Sequence, residues 1–226
     1  MCRNYSYVSL VTVSPSAAKK RVIVYVDGFN VYYGFKRKGW RKFLWLDYRS
    51  VFESILKPDQ LLVDVKYFTA LSLDGESRGR QETYLNALRI RGGLTILLGK
   101  IVKRPHKCPE CGHRSKRDQE KESDVNLTVQ ALLDAFDGRM DEVWIVSRYS
   151  DLVPLVRALR EKFGLKVLIV KPPNGSGDTT GGDELVRASG EGAFWVQSRV
   201  WKRSQLPDEL QERPGARRQR RPEKWS

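Results

Sequence analysis

Apolar positions along this chain fall into short unbroken runs, separated by stretches where they recur every three or four residues. VIVYVD at 22–27 is apolar almost throughout, the pattern of a strand covered on both faces. Similar runs predict strands at 61–71, 94–102, 142–147, 165–171 and 193–197. Between them, helical spacing predicts helices at 30–38, 48–56, 80–91, 123–136, from Ser150 to near Gly164, and at 183–189. In the 123–136 helix, Val125, Val129, Leu132, Leu133 and Phe136 form the stripe expected to face the core, and Ser123 is the expected cap. Tyr84, Leu85 and Leu88 are the inward positions of the 80–91 helix, as are Leu155, Val156 and Leu159 in the helix after Ser150. Gly75–Gly79 and residues 172–182 read as loops.

Alternating strands and helices predict an α/β fold with a mainly parallel central sheet and helices on both faces. Sites in such sheets gather beyond the carboxyl ends of the strands, near a switch in strand order. Three segments depart from the alternation. Residues 1–20 read as an irregular leader, 103–121 as a charged excursion carrying two cysteines, and 199–226 as a mobile basic tail. The tail holds nine Lys or Arg against four Asp or Glu. The domain proper is therefore expected at 21–198.

Composition sharpens the partner. A chain of 226 residues with 40% hydrophobic positions can bury one sizeable core, and its formal net charge of +14 favours a polyanion, RNA first. Three cysteines, two of them close together, do not make a disulfide framework, so a reducing, cytoplasmic setting is expected. No apolar run is long enough for a membrane-spanning helix, so no membrane partner is expected.

The candidate chemistry is acidic. Asp27 directly follows the first buried strand, Asp124 opens the central helix, and Asp151 follows the fourth strand. Singly, each has an ordinary explanation, as a turn residue or as a carboxylate at a helix N-terminus. Together they repel unless a cation or protons compensate, and oxygen ligands suit Mg²⁺ or Mn²⁺. A cation held there would support phosphodiester hydrolysis. Asn30 is placed to orient Asp27, a phosphate or a water, or to cap a helix. Arg80, Lys121 and Arg148 are candidate phosphate contacts, alongside a plain role as solvent-facing charges. In the excursion, His106, Cys108, Cys111 and His113 carry a Cys-x₂-Cys spacing that suits structural Zn²⁺, or else an unmetallated turn. Ligands shared across a homodimer would also complete such a site. Trp144 and Trp195 are expected to be packed.

The segments VIVYVDGFNVYYG, KESDVNLTVQALLDAF and VWIVSRYSDLVPLVRALREKFGLKV, with SQLPDEL later, resemble the NYN domains of the PIN-like nuclease superfamily, and in particular its bacterial LabA-like branch. The resemblance covers roughly residues 21–210. It implies a Rossmann-like three-layer domain, an acidic metal centre and RNA cleavage. It assigns metal roles to Asp27, Asp124 and Asp151, and a supporting role to Asn30. It also exposes a departure. The family pattern SGDSD or SNDSD is SRYSD here, which puts Arg148 and Tyr149 where glycine or asparagine and another aspartate are usual. A phenol cannot replace a carboxylate at neutral pH. A centre of three carboxylates completed by phosphate oxygens is one outcome. RNA binding without cleavage is another, with Tyr149 stacking on a base and Arg148 holding phosphate. A structural module that binds another protein is a third.

Overall fold

The computed structural model describes residues 18–107, 109–173 and 183–225. The 1–17 part of the expected leader and the 174–182 part of the expected loop lie outside these residues.

The chain runs β1 (Lys20–Asp27), α1 (Gly28–Arg37), α2 (Tyr48–Glu53), β2 (Gln60–Thr69), α3 (Gly75–Arg91), β3 (Thr95–Leu98), β4 (Lys100–Lys107), β5 (Arg114–Lys121), α4 (Ser123–Phe136) and β6 (Glu142–Val146). It continues through α5 (Val153–Glu161), β7 (Lys166–Lys171), α6 (Asp183–Ser189), β8 (Ala193–Trp195), α7 (Ser198–Arg203), β9 (Glu209–Leu210) and β10 (Gln219–Arg220). Six strands make one parallel sheet in the order β3-β2-β1-β6-β7-β8. The strand order reverses between β1 and β6, and this is where Asp27 and the turn after Val146 meet.

Both faces of β1 are covered because its side chains alternate between two cores. Val22, Val24 and Val26 pack with residues of α1, α2, α3 and α7. Ile23 and Tyr25 pack with α4, α5 and α6. All five residues are fully buried, which explains why the run is apolar without alternation.

Four departures from the sequence reading have clear physical reasons. The expected loop at Gly75–Gly79 is the first turn of α3, because Asp74 accepts the Ser77 backbone N–H at 2.9 Å and caps the helix there. The expected strand at 94–102 breaks at Gly99, where a β-carbon would come within 2.6 Å of the Lys121 carbonyl. β3 stays in the main sheet, while β4 turns out to pair with β5 in an antiparallel hairpin, so the charged excursion is regular structure.

The expected buried stripe of α4 faces outward. Val125, Val129, Leu133 and Phe136 are exposed, and Leu127, Ala131, Asp134 and Ala135 are buried instead. Asp134 explains the rotation. It accepts from Tyr25 Oη at 2.7 Å and from Lys66 Nζ at 2.7 Å, so a polar network holds this face against β1 and β2. Ser123 does not cap α4 through its hydroxyl. Its backbone N–H donates to Glu120 at 2.9 Å, and its Oγ is buried without a partner among the described residues.

The fourth departure is the C-terminal stretch. Instead of a mobile tail, α7, the β9–β10 pair and a final helical turn pack onto the core through buried Trp201 and Trp225. Trp144 is buried as expected, but Trp195 is 60% exposed, with the Lys171 ammonium 4.8 Å from its ring centre.

Candidate acidic site at the sheet switch point

Asp27 ends β1 and caps α1, two jobs that fix its carboxylate. Oδ1 accepts the Asn30 backbone N–H at 3.0 Å. Oδ2 accepts Asn30 Nδ2 at 2.6 Å and Ser147 Oγ at 3.2 Å. Gly28 lets this turn lie flat against β2, since a β-carbon there would sit 2.7 Å from the Phe68 carbonyl. Burial pushes the Asp27 carboxyl up from its ordinary range, the bonds from Asn30 and Ser147 pull it back, and the charge of Glu120 adds to the rise. The net direction is upward.

Across the cleft, Asp124 sits half-buried in the first turn of α4. Its carboxyl is pushed up to about 6 by burial, followed by the charges of Asp27, Glu120 and Asp151. Four carboxylates therefore share one field. Asp151 stands exposed in the helical turn after β6. Glu120 comes from the end of β5 and also holds the α4 N-terminus through Ser123. Glu122, directly before Ser123, adopts a left-handed backbone at φ 79°, a conformation that costs a side-chain-bearing residue about 1–3 kcal/mol. Its carboxylate pairs with Lys100, and its carbonyl accepts the Asn126 N–H at 2.7 Å.

Tyr149 reaches the same cleft. Its backbone N–H donates to Ser147 Oγ at 3.2 Å, which joins the SRYSD turn to Asp27 through one hydroxyl. Its half-exposed phenol is pushed up by burial and then by Asp27 and Asp124, with Arg37 opposing. Arg148 is half-buried and engaged in an interaction of its own.

The predicted residues thus divide. Asp27, Asn30, Asp124, Asp151 and Tyr149 come to one edge. Asn30 lies behind Asp27, with both its backbone and side-chain donors committed to that carboxylate. Lys121 ends β5 opposite Lys100. Arg80 lies on α3, tied to Glu76 at 3.3 Å and Ser77 at 3.0 Å. In the excursion, His106 lies on β4 opposite Ser115, Cys111 is an exposed free thiol, and Cys108 falls outside the described residues.

Sequence reasoning missed Ser147 and Glu120. A serine directly after a buried strand was a usable signal for the first. Nothing singled out Glu120 within a hairpin where almost every residue is polar.

The donor set is all oxygen, which fits a hard divalent cation, and a cation would relieve both the burial cost and the neighbouring negative charge that raise Asp124. Among the described residues, however, no three His, Cys, Asp or Glu side chains already stand in a coordinating group. The carboxylates share a field without forming a closed shell.

The mostly parallel sheet flanked by helices is consistent with a Rossmann-like PIN-like domain. The chain belongs to the NYN domain family, whose profile matches residues 21–188, and that membership suggests a nuclease-like role. Over 240 aligned residues it is 29% identical to the 6-hydroxy-3-succinoylpyridine 3-monooxygenase HspA of Pseudomonas putida, covering 91% of this chain and 75% of that protein. A crystal structure of a protein of unknown function from Vibrio parahaemolyticus superposes with a TM-score of 0.51 at 20% identity. That match covers 82% of this chain and 98% of the other, and it bears on the fold alone. Among the described residues no helix is long and apolar enough to cross a membrane.

Proposed function

We propose that this protein is a divalent-metal-dependent endoribonuclease that hydrolyses RNA phosphodiester bonds at the Asp27–Asp124–Asp151 edge. The observation that carries the reading is the gathering of Asp27, Asp124 and Asp151 at the sheet switch point of an NYN-family chain, where Asp124 is pushed up by burial and then by the charges of Asp27, Glu120 and Asp151. Asp27 and Glu120 each also hold a helix N-terminus, and cation binding adds a benefit for gathering all four carboxylates at one edge.

Asp27, Asp124 and Asp151 would hold Mg²⁺ or Mn²⁺. Such an ion supplies activation of water and relief of charge on the phosphate. The protein's own contribution begins with Asp27, whose three hydrogen bonds fix its orientation before substrate arrives. Asn30 and Ser147 act through Asp27 as positioning residues. Asp124 in its ionised form is the carboxylate placed to accept a proton from water. Tyr149 offers a half-exposed ring beside these groups, suited to stacking on an unpaired base. The reading also assigns the chain to the LabA-like branch and to a cytoplasmic setting, on its quoted segments and its cysteine usage.

A second reading is an impaired nuclease that binds RNA without cutting it, favoured by Tyr149 in place of a carboxylate. A third follows the name of the Pseudomonas putida relative, hydroxylation of a small pyridine. It ranks lower because it rests on that relative's name alone, at 29% identity, whereas the family match over residues 21–188 suggests a nuclease-like role.

The deciding experiment incubates the purified chain with a labelled single-stranded RNA under Mg²⁺ or Mn²⁺ titration. Metal-dependent cleavage is expected, and D27N and D124N should each lower its rate by about 100-fold or more. Cleavage at the wild-type rate in both variants would overturn the site. Binding without cleavage selects the second reading, and consumption of 6-hydroxy-3-succinoylpyridine selects the third.

A further inference from the structure

A basic groove on the α1/α3 face adjoins the acidic edge. One hollow of about 230 Å³ is lined by Phe29, Tyr32, Tyr33, Lys36, Arg80 and Trp225, among others. A second, also about 230 Å³, shares Tyr32, Lys36, Arg80 and Trp225 and adds Arg41 and Lys224. The two are therefore one continuous depression. At its inner end Phe29 stacks on Tyr33 with ring centres 6.2 Å apart, and Tyr33 lies within electrostatic reach of Tyr149 in the acidic cleft. At its outer end four cations converge, and the wall is completed by the C-terminal turn.

The charges there are not spent on one another. Lys36 and Arg41 are exposed and make no ion pair among the described residues. Arg80 and Lys224 share a single carboxylate, Glu76, at 3.3 Å and 2.9 Å. Four cations against two exposed anions, Glu76 and the Asp118 that lines the first hollow, leave a surplus of positive charge beside aromatic rings. That pairing suits a ligand with both phosphate and a flat base. Each hollow, about 230 Å³ and open to solvent, lets a single unstacked base reach the tyrosine rings, whereas bases inside a duplex are stacked on one another and cannot.

We propose that this groove binds a single-stranded nucleic acid segment and leads it to the acidic edge. Lys36, Arg41, Arg80 and Lys224 hold its phosphates, and Tyr32 and Tyr33 stack its bases. The inference rests on the nuclease reading for its purpose, but its evidence is separate, since none of these residues belongs to the carboxylate centre. It also gives the C-terminal turn a function: Trp225 packs that turn against the core and brings Lys224 to the groove.

The test uses the full chain without divalent ions and a 5′-fluorescein-labelled 12-nucleotide oligouridylate, read by fluorescence anisotropy across a salt series. The double variant Lys36→Gln/Arg41→Gln should weaken binding by about tenfold or more at low salt and reduce the log–log salt slope by about 1.4, some 0.7 per lost phosphate contact. Arg157→Gln/Lys162→Gln removes the same charge from exposed positions on the opposite face and should have a clearly smaller effect. Glu76→Gln should tighten binding by freeing Arg80 and Lys224, beyond any gain in the equally charged control Glu161→Gln.

Equal losses in the two double variants would overturn the groove, as would equal affinity for an RNA duplex or no binding of the oligonucleotide. Groove-dependent binding by a protein that never cuts under Mg²⁺ or Mn²⁺ would leave the groove standing and remove the hydrolase reading. Cleavage that persists with unchanged binding in Lys36→Gln/Arg41→Gln would do the reverse.

Discussion

Replacing Asp134 by asparagine should destabilise this protein severely while leaving the acidic edge in place. The carboxylate is 1% exposed and lies against Lys66, whose side chain is 4% exposed. It receives Tyr25 Oη at 2.7 Å, Lys66 Nζ at 2.7 Å, Arg139 Nη1 at 2.6 Å and Gln130 Nε2 at 3.3 Å. An amide keeps the shape but presents a donor where only donors converge, and it strands the Lys66 charge in the core. Removing one partner of a buried pair costs about 3–5 kcal/mol. A domain stability of about 5–15 kcal/mol makes that a large share. At roughly 2–4 °C per kcal/mol, Tm should fall by about 6–20 °C. The rescue variant Lys66→Met/Asp134→Asn removes the stranded charge, keeps an acceptor for Tyr25, and should return to within about 1–2 kcal/mol of wild type.

The pH dependence of this effect has a definite sign. Burial pushes the Asp134 carboxyl up, but the hydrogen bonds from Lys66 and Tyr25, with the charges of Lys66 and Arg139, outweigh it and hold the pKa below the ordinary range. A lowered folded-state pKa contributes stability above the unfolded value and loses it as pH falls through the folded one. The gap between wild type and Asp134→Asn should therefore narrow below about pH 4. Urea unfolding followed by circular dichroism measures all of this. A single variant within about 1 kcal/mol of wild type would refute the reasoning, as would a double variant no better than the single one. Asp124 lies ten residues away on the same helix, about 15 Å along its axis, so cleavage by folded Asp134→Asn at low temperature should survive.

Two further outcomes are expected. Tyr149→Asp adds a carboxylate to a cleft already shared by four, so isothermal titration should show Mn²⁺ affinity raised by about tenfold, one added charge–cation contact being worth roughly 1.4 kcal/mol at a half-solvated site; unchanged affinity in a folded variant would show that this position does not face the ion. Trp225→Ala removes a buried ring packed against Trp45 and Tyr84, and should cost about 3 kcal/mol by the same unfolding assay, whereas a free tail would lose nothing.

Much of the sheet was legible because buried parallel strands announce themselves as unbroken apolar runs, and β1, β6 and β7 are such runs. That Asp27, Asp124 and Asp151 fall at one edge of the sheet was legible because strand ends and helix starts locate that edge before any contact is known. α4 shows where periodicity fails. Its sequence offers two stripes, one rich in large apolar residues and one of Leu127, Ala131 and Asp134. The smaller one is buried because Lys66 and Tyr25, distant in the chain, need Asp134. The β4–β5 hairpin was hidden by its polarity, since a two-stranded ribbon open to water needs no apolar alternation. The C-terminal turn was hidden because nine cations obscure one tryptophan whose partners, Trp45 and Tyr84, lie far upstream.

The pairing of β1 with β6 across more than a hundred residues has a consequence for how the protein comes into being. Asp27 can cap α1 as soon as the first forty residues leave the ribosome, but Ser147, which ties its outer oxygen, arrives only with the turn after β6. Asp151 arrives with that same turn, whereas Glu120 and Asp124 precede β6. High contact order of this kind slows folding. It also means that a nascent chain ending before β6 already carries Asp27, Glu120 and Asp124, but neither Asp151 nor the hydroxyl that ties Asp27 to the turn. The acidic edge is completed in one late step, when Ser147 and Asp151 emerge together after β6.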